Sequence, residues 1–369
     1  MPTFESFYHL LSGFLVSVFC VGFLASRSAS LLGLGLDKQS GVQKMHTAPT
    51  SRLGGVGIFV GLCVGVFLSK DIYLSDAILG FCLLVGSFPV FASGLIEDLT
   101  HKVHPTTRLL MASLSSLLIL WILHVGVERT NIPPLDFLLN LPFFMTLLTI
   151  LVVSGFTNAI NIIDGFHGLA SGSVMIMLAG LAVLSFMVSD WTVLRLCLLT
   201  LVVILGFWVW NWPFGKIFLG DAGAYLIGFC VVELGLLIPH RSPEISPMAP
   251  VLIGIYPLIE TVFSMYRRKF VRTHPLNHPD ALHLHTMLYR RLFAPKGNAD
   301  ASLQMKNFSN AKVSVFLWFL TLVPTVFACV FLSNTPVLLL CMALFALVYS
   351  ILYKSLVEFK IQKWLRFRP

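Results

Sequence analysis

The strongest constraint on this chain is a series of apolar runs long enough to approach or cross a bilayer. They lie near residues 6–33, 54–69, 76–96, 108–127, 141–157, 168–188, 191–211, 221–238, 247–266, 312–332 and 335–355. Lipid offers no partner to a backbone N–H or C=O, so each run must close its hydrogen bonds internally as a helix, which needs about 20 residues to span. Composition agrees: 57% of the 369 residues are hydrophobic and 11% are charged, where a soluble domain carries about a quarter charged. The expected fold is an all-α integral membrane protein of about eleven transmembrane helices, one domain over residues 1–369. No soluble stretch is long enough to bury a core of its own. The longest excursion, 267–311, has room for a hairpin or short helix. The first run lacks a basic start and is followed by Arg27, which reads as a retained span rather than a cleaved signal peptide.

Lys and Arg set the orientation. One set of loops holds Lys38, Lys44, Arg52, Lys102, Arg108, Lys216, Arg267, Arg268, Lys269, Arg272, Arg290, Arg291, Lys296 and Lys306, and the basic tail from Lys354 onward shares that side. The opposite loops hold Lys70, Arg129, Arg195 and Arg241. Positive residues favour the cytoplasm, so the N-terminus is expected outside and the C-terminus inside. The net charge of +8 is then a topology signal that suits anionic membrane lipids and calls for no nucleic acid. The seven cysteines lie in or beside apolar runs with no CxxC pair, and read as small buried hydrophobes.

The outside loops show turn chemistry, such as Asn131-Ile-Pro-Pro134, whereas the inside loops gather residues suited to phosphate or a hard cation. Lys44, His46 and Arg52 are phosphate donors, and Gly54-Gly55 after them lets backbone approach a ligand; the plain alternative is a basic juxtamembrane loop. Glu97-Asp98 places two carboxylates at a helix C-terminus, where the dipole prefers cations, which points to metal or proton chemistry. Asn158, Asn161 and Asp164 recur along one helical face, with oxygens that suit Mg²⁺ or a nucleobase edge; a capped helix end explains Asp164-Gly165 but not both asparagines. Lys216 can hold a phosphate, and Asp221 between Gly220 and Gly223 is either functional or an N-cap. The last group, His274 to His285 with Asp280 and the nearby Arg290-Arg291, reads as an anion clamp or, without cysteine or HExxH, as a less specific zinc site.

These segments, in this order on one side of a multi-span chain, resemble the polyprenyl-phosphate N-acetylhexosamine-1-phosphate transferases over residues 37–291. The matching motifs are Lys44/His46/Arg52-Leu-Gly-Gly, Glu97-Asp98, Asn158-x-x-Asn161-x-x-Asp164-Gly165-x-x-Gly168, Lys216-x-Phe218-x-Gly220-Asp221-x-Gly223 and Asp280-x-x-His283-x-His285. Pro257-Leu-Ile-Glu260-Thr261 resembles the family's penultimate helix. Two departures stand out. Glu97 replaces the usual first aspartate, and His283-Leu-His285 replaces a pair of consecutive histidines, a pattern similar to bacterial members that feed O-antigen or capsule synthesis.

The resemblance implies a bacterial inner-membrane enzyme that joins undecaprenyl phosphate to a sugar-1-phosphate from a UDP-N-acetylamino sugar, with release of UMP. It implies Mg²⁺ on Asn161 and Asp221, and Asp98 with Glu97 acting on the lipid phosphate. Asp164 and Asn158 would place the uridine or a phosphate, while Lys44, His46, Arg52, Lys216, His283 and His285 steady phosphates. A homodimer is compatible with it. Attack in one step or through an aspartyl-phosphate is left open. A secondary transporter would place its polar residues near the midplane and show related halves; here charge within the spans is confined to Glu233, Glu260 and the flanking Arg195. A CDP-alcohol phosphotransferase would need several aspartates along one helix, which are not found. A non-catalytic scaffold in an envelope-assembly complex is the remaining alternative.

Overall fold

The structure, a computed structural model, describes residues 7–27, 50–70, 72–271, 282–294 and 303–358. Among these the chain is helical: α1 (Tyr8–Arg27), α2 (Gly54–Ser69), α3 (Leu74–Thr100), α4 (Pro105–Leu123), α5 (Pro133–Leu139), α6 (Pro142–Ile163) and α7 (Leu169–Met187). They are followed by α8 (Trp191–Asn211), α9 (Gly220–Arg241), α10 (Met248–Ile253), α11 (Ile255–Tyr266), α12 (Leu284–Leu288), α13 (Leu303–Val330) and α14 (Thr335–Val357). Nine of them (α1, α3, α4, α6 to α9, α13 and α14) are long and apolar enough to cross a membrane. The two other expected spans are the 16-residue α2 and the pair α10–α11. Large apolar side chains such as Phe19, Phe81, Trp121, Phe143 and Phe319 stand exposed around the bundle. Water would penalise that surface, and lipid does not.

Three expectations need correction. The span at 247–266 is broken at Gly254, because Pro257 has no N–H to return to the carbonyl of Ile253. The outside turn at Asn131-Ile-Pro-Pro134 opens a short helix instead, with Pro133 and Pro134 in the first turn, where a missing N–H costs nothing. The span expected from 312 begins at Leu303, so its polar first turns continue the helix beyond the apolar run. The 267–311 excursion is partly helical, with π-helical turns at Arg267–Val271 and Tyr289–Phe293 around α12.

At the centre is α9, buried along nearly its whole length and packed against α2, α3, α6, α7 and α8. Missing side chains bring its first turn into backbone contact with two neighbours. A Cβ on Gly55 would lie 2.3 Å from the Gly223 nitrogen, and one on Gly94 would lie 2.6 Å from the Ala222 nitrogen. Such approaches exclude any larger residue. They pin the ends of α2 and α3 to the N-terminus of α9, and so bring together polar residues far apart in sequence.

Candidate active site

Two loops first join by backbone. Phe218 N–H donates to Ser51 O at 2.8 Å, while Gly54 and Gly55 N–H donate to Phe218 O and Leu219 O at 3.0 Å. This pairing carries Arg52 to the start of α9. Gly220 then turns the chain into the helix at φ +73°, a left-handed conformation that a side chain resists.

A helix N-terminus leaves N–H groups without intrahelical partners. Here they are satisfied from another helix. Asp98, at the end of α3 and 0% exposed, accepts from Asp221 N–H through Oδ1 and from Ala222 N–H through Oδ2, both at 2.9 Å. Asp221 is therefore not the cap of its own helix. Its carboxylate turns to two guanidinium groups: Arg52 Nη2 lies 3.0 Å from Oδ1, and Arg108 Nη1, from the first turn of α4, donates to Oδ2. Arg52 Nε also stands 3.4 Å from Asp98 Oδ1. Four helices thus meet in one charged knot.

The loop after α6 closes one wall. Asn161 Nδ2 donates to Tyr225 Oη at 3.2 Å, and Tyr225 sits one turn beyond Asp221 on α9. Asp164 lies just past the end of α6 and keeps some exposed surface. Protein crowding raises its carboxyl to about 7; the Arg52 guanidinium pulls the other way, and the Asp221 and Asp98 carboxylates add to the rise. Of the asparagine pair, Asn161 joins the knot through Tyr225, while Asn158 lies a turn earlier on α6, half-buried. His285 stands against this loop, with Nε2 3.0 Å from where a Gly165 Cβ would be and its ring 5.4 Å from that of Phe166. His283 stacks on His285 at 5.2 Å. His167 ties the same loop to the next one, facing Pro213 O through Nδ1 at 3.1 Å.

Two expected residues bond elsewhere, although the charge of Glu97 still acts on Arg108 and Tyr225. Glu97 turns back to cap its own chain, accepting Val103 N–H at 2.8 Å through Oε2. Lys216 is exposed, with its ammonium 5.2 Å over the Trp210 ring. Lys44, His46 and Asp280 lie outside the described residues. The sequence reading missed Arg108 and Tyr225. Arg108 was counted as a topology cation, yet a cation in the first turn of a helix opposes its dipole, and that misplacement was the available signal. Tyr225 stands at i+4 from Asp221, hence on the same face.

Among the described residues, no three His, Cys, Asp or Glu side chains gather to hold a metal. Asp221 and the Asn161 amide nevertheless carry oxygens, the ligand type that Mg²⁺ takes, an ion that needs only one or two carboxylates beside waters and substrate phosphates.

The sequence model of glycosyl transferase family 4 matches residues 80–238, from α3 to α9. The chain is 31% identical over 261 residues to the probable undecaprenyl-phosphate N-acetylglucosaminyl 1-phosphate transferase of Bacillus subtilis (strain 168), covering 69% of this chain and 70% of the relative. The chain belongs to glycosyl transferase family 4. It is also 28% identical over 303 residues to the undecaprenyl-phosphate alpha-N-acetylglucosaminyl 1-phosphate transferase of Salmonella typhi, covering 80% of each. With a phospho-N-acetylmuramoyl-pentapeptide-transferase of Streptococcus uberis it shares 25% identity over 310 residues, 76% of this chain and 87% of the relative. The family 4 match encloses Asp98, Arg108, Asn161, Asp164, Asp221 and Tyr225, while Arg52 and the two histidines reach the knot from outside it.

Proposed function

We propose that this protein transfers an N-acetylhexosamine-1-phosphate from a UDP-sugar to undecaprenyl phosphate at the cytoplasmic face of a bacterial inner membrane. Carrying this reading is the knot itself: Arg52 and Arg108 converge on Asp221 at the mouth of a buried helix, in a chain of this family. The many cations at that end fit a cytoplasmic face, with α2 and the α10–α11 pair counted as crossings to give eleven. UDP-N-acetylglucosamine is the first donor to try, because two of the relatives are N-acetylglucosaminyl 1-phosphate transferases by name. The product would serve O-antigen, capsule or another envelope glycan.

In the reaction, an oxygen of the lipid phosphate attacks the β-phosphorus of the UDP-sugar. A new P–O bond forms, the bond to the bridging oxygen breaks, and UMP leaves. Phosphoryl transfer of this kind is catalysed mostly by positioning and charge neutralisation. Arg52 and Arg108, held on Asp221 at rest, stand ready to turn to incoming phosphate oxygens. Asp221 and Asn161 would hold Mg²⁺, which when bound supplies further neutralisation of the diphosphate. Asp164, raised to about 7, is poised to exchange a proton with the lipid phosphate or a donor hydroxyl near neutral pH. Asp98 fixes the N-terminus of α9, and with it the place of Asp221. Lys44, His46, Lys216, His283 and His285 would steady phosphates, with Asn158 lining the approach for uridine.

The test is UMP release from a panel of UDP-N-acetylamino sugars, with undecaprenyl phosphate and Mg²⁺ each present or omitted. Release that requires both supports the reading and names the donor. Release independent of lipid points to a hydrolase and ends it.

A further inference from the structure

Beneath the two histidines lies a carboxylate that the mechanism above does not use. Glu260, on α11, is 0% exposed. Its Oε1 accepts from His283 Nδ1 at 2.9 Å and from Leu284 N–H at 3.2 Å, while Oε2 accepts from Tyr349 Oη, on α14, at 2.8 Å. We propose that Glu260 is a positioning residue: it holds His283 in one tautomer and one orientation, so that Nε2 is the ring edge offered to a phosphate oxygen.

The argument begins with cost. A carboxylate this deeply buried carries a desolvation penalty that an apolar or amide side chain would avoid. The penalty is offset here by three donors, one of them an imidazole. Nδ1 must carry a proton to donate to Oε1, which leaves Nε2 as the outward polar edge. A ring held in that tautomer and orientation meets a phosphate oxygen with one fixed edge. A carboxylate behind a working histidine acts in the same way wherever ring orientation matters.

The consequence travels to the knot. His283 stacks on His285 with ring planes 13° apart, and His285 fills the space over Gly165, next to Asp164. Tyr349 brings in α14, a helix outside the family 4 match, as a support of the site. The titratable and charged groups around this pair are Tyr256 on α11, Arg267 just beyond it, His285 on α12, and Tyr349 and Tyr353 on α14. Among the described residues these groups include no second carboxylate, and Glu260 is the one bonded to the ring.

This inference rests on the transferase reading for the role of His283, and its test separates the two. Binding of UDP to the purified full chain is measured beside kcat and KM for UMP release. The variants are Glu260→Gln, Glu260→Asp, His283→Ala and the double variant Glu260→Gln/His283→Ala. Glu260→Gln keeps an acceptor oxygen but removes the charge. It is expected to weaken UDP binding and raise KM about tenfold while kcat changes little. The double variant is expected to bind no more weakly than His283→Ala alone, because both changes cut one relay. Glu260→Asp retains the charge but shortens the reach, so KM rises, though less than in Glu260→Gln. If Glu260→Gln does not fold, Glu260→Asp decides, and an unchanged KM overturns the proposal. An unchanged KM in Glu260→Gln, or fully additive losses in the double variant, also overturns it. Coupled loss of UDP binding from a wild-type protein that never releases UMP supports the relay and sinks the transferase reading.

Discussion

Replacing Asp98 by Asn tests which of two roles its carboxylate performs. Both oxygens accept backbone N–H groups at the start of α9, and the side chain is wholly buried. An asparagine of the same shape has one oxygen, so it keeps one of these bonds in neutral form and turns its NH₂ against the other N–H. The lost charge-assisted bond is worth about 1.5–3 kcal/mol, and the stranded buried N–H costs about 1–3 kcal/mol. Removing negative charge from a helix N-terminus adds about 0.3–1 kcal/mol. Allowing for overlap among these, the loss is about 3–5 kcal/mol. Roughly 1–2 °C per kcal/mol for a chain of this length places the fall in melting temperature at about 3–10 °C. Thermal unfolding in detergent, followed by labelling of the cysteines buried in α8 and α9, Cys197 and Cys230, measures it. An Asp98→Asn protein that melts with the wild type but does not turn over would refute the capping argument and return Asp98 to the role of a base.

Three further outcomes follow from the same geometry. Arg108→Ala leaves Asp221 with Arg52 alone and should lower kcat/KM for UMP release about 10²-fold, while the amount of folded protein recovered is unchanged. Gly220→Ala forces a Cβ to within 2.0 Å of Arg52 O at φ +73°, and size-exclusion chromatography should show little folded protein. Asp164 has a folded-state value raised from 3.8 to about 7, so the native state holds its proton more tightly than the unfolded chain does. The stability it contributes is complete below about pH 4 and is lost as pH rises through about 7. Asp164→Asn should flatten the pH dependence of melting across that window and melt above the wild type at pH 8, even as transfer is lost.

How much of this was legible in the sequence depended on which interactions are local. Spans announce themselves through apolar length, and among the described residues nine of the expected runs recur as helices long and apolar enough to cross a membrane. The residues of the knot were also visible, because Arg52, Asp98, Asn161, Asp164 and Asp221 sit at span ends where polar groups are conspicuous. What each one touches was not. Asp221 looked like a cap from its place at a helix start, but the cap comes from Asp98, 123 positions away. That exchange depends on the backbone contact of α3 with α9 at Gly94, and spacing along one strand of sequence does not record it. Arg108 was hidden for the opposite reason, since one cation among many on the inside loops serves topology equally well. Glu97 shows the limit of adjacency: neighbouring carboxylates at a helix end face different ways, one into α9 and one back to Val103. The break at Gly254 is a reading that Pro257 would have allowed, had the run been judged by its donors as well as its hydropathy.

The central claim is that this site moves a phosphorus atom with the sugar. UDP-N-acetylglucosamine labelled at the β-phosphorus, incubated with undecaprenyl phosphate, Mg²⁺ and either the wild type or Asp221→Asn, tests it most directly. The account predicts that label passes into the organic phase with the wild type, in step with UMP release, and stays in the aqueous phase with Asp221→Asn. Label that remains aqueous while UDP accumulates would mean that the sugar alone is transferred, and would contradict the account.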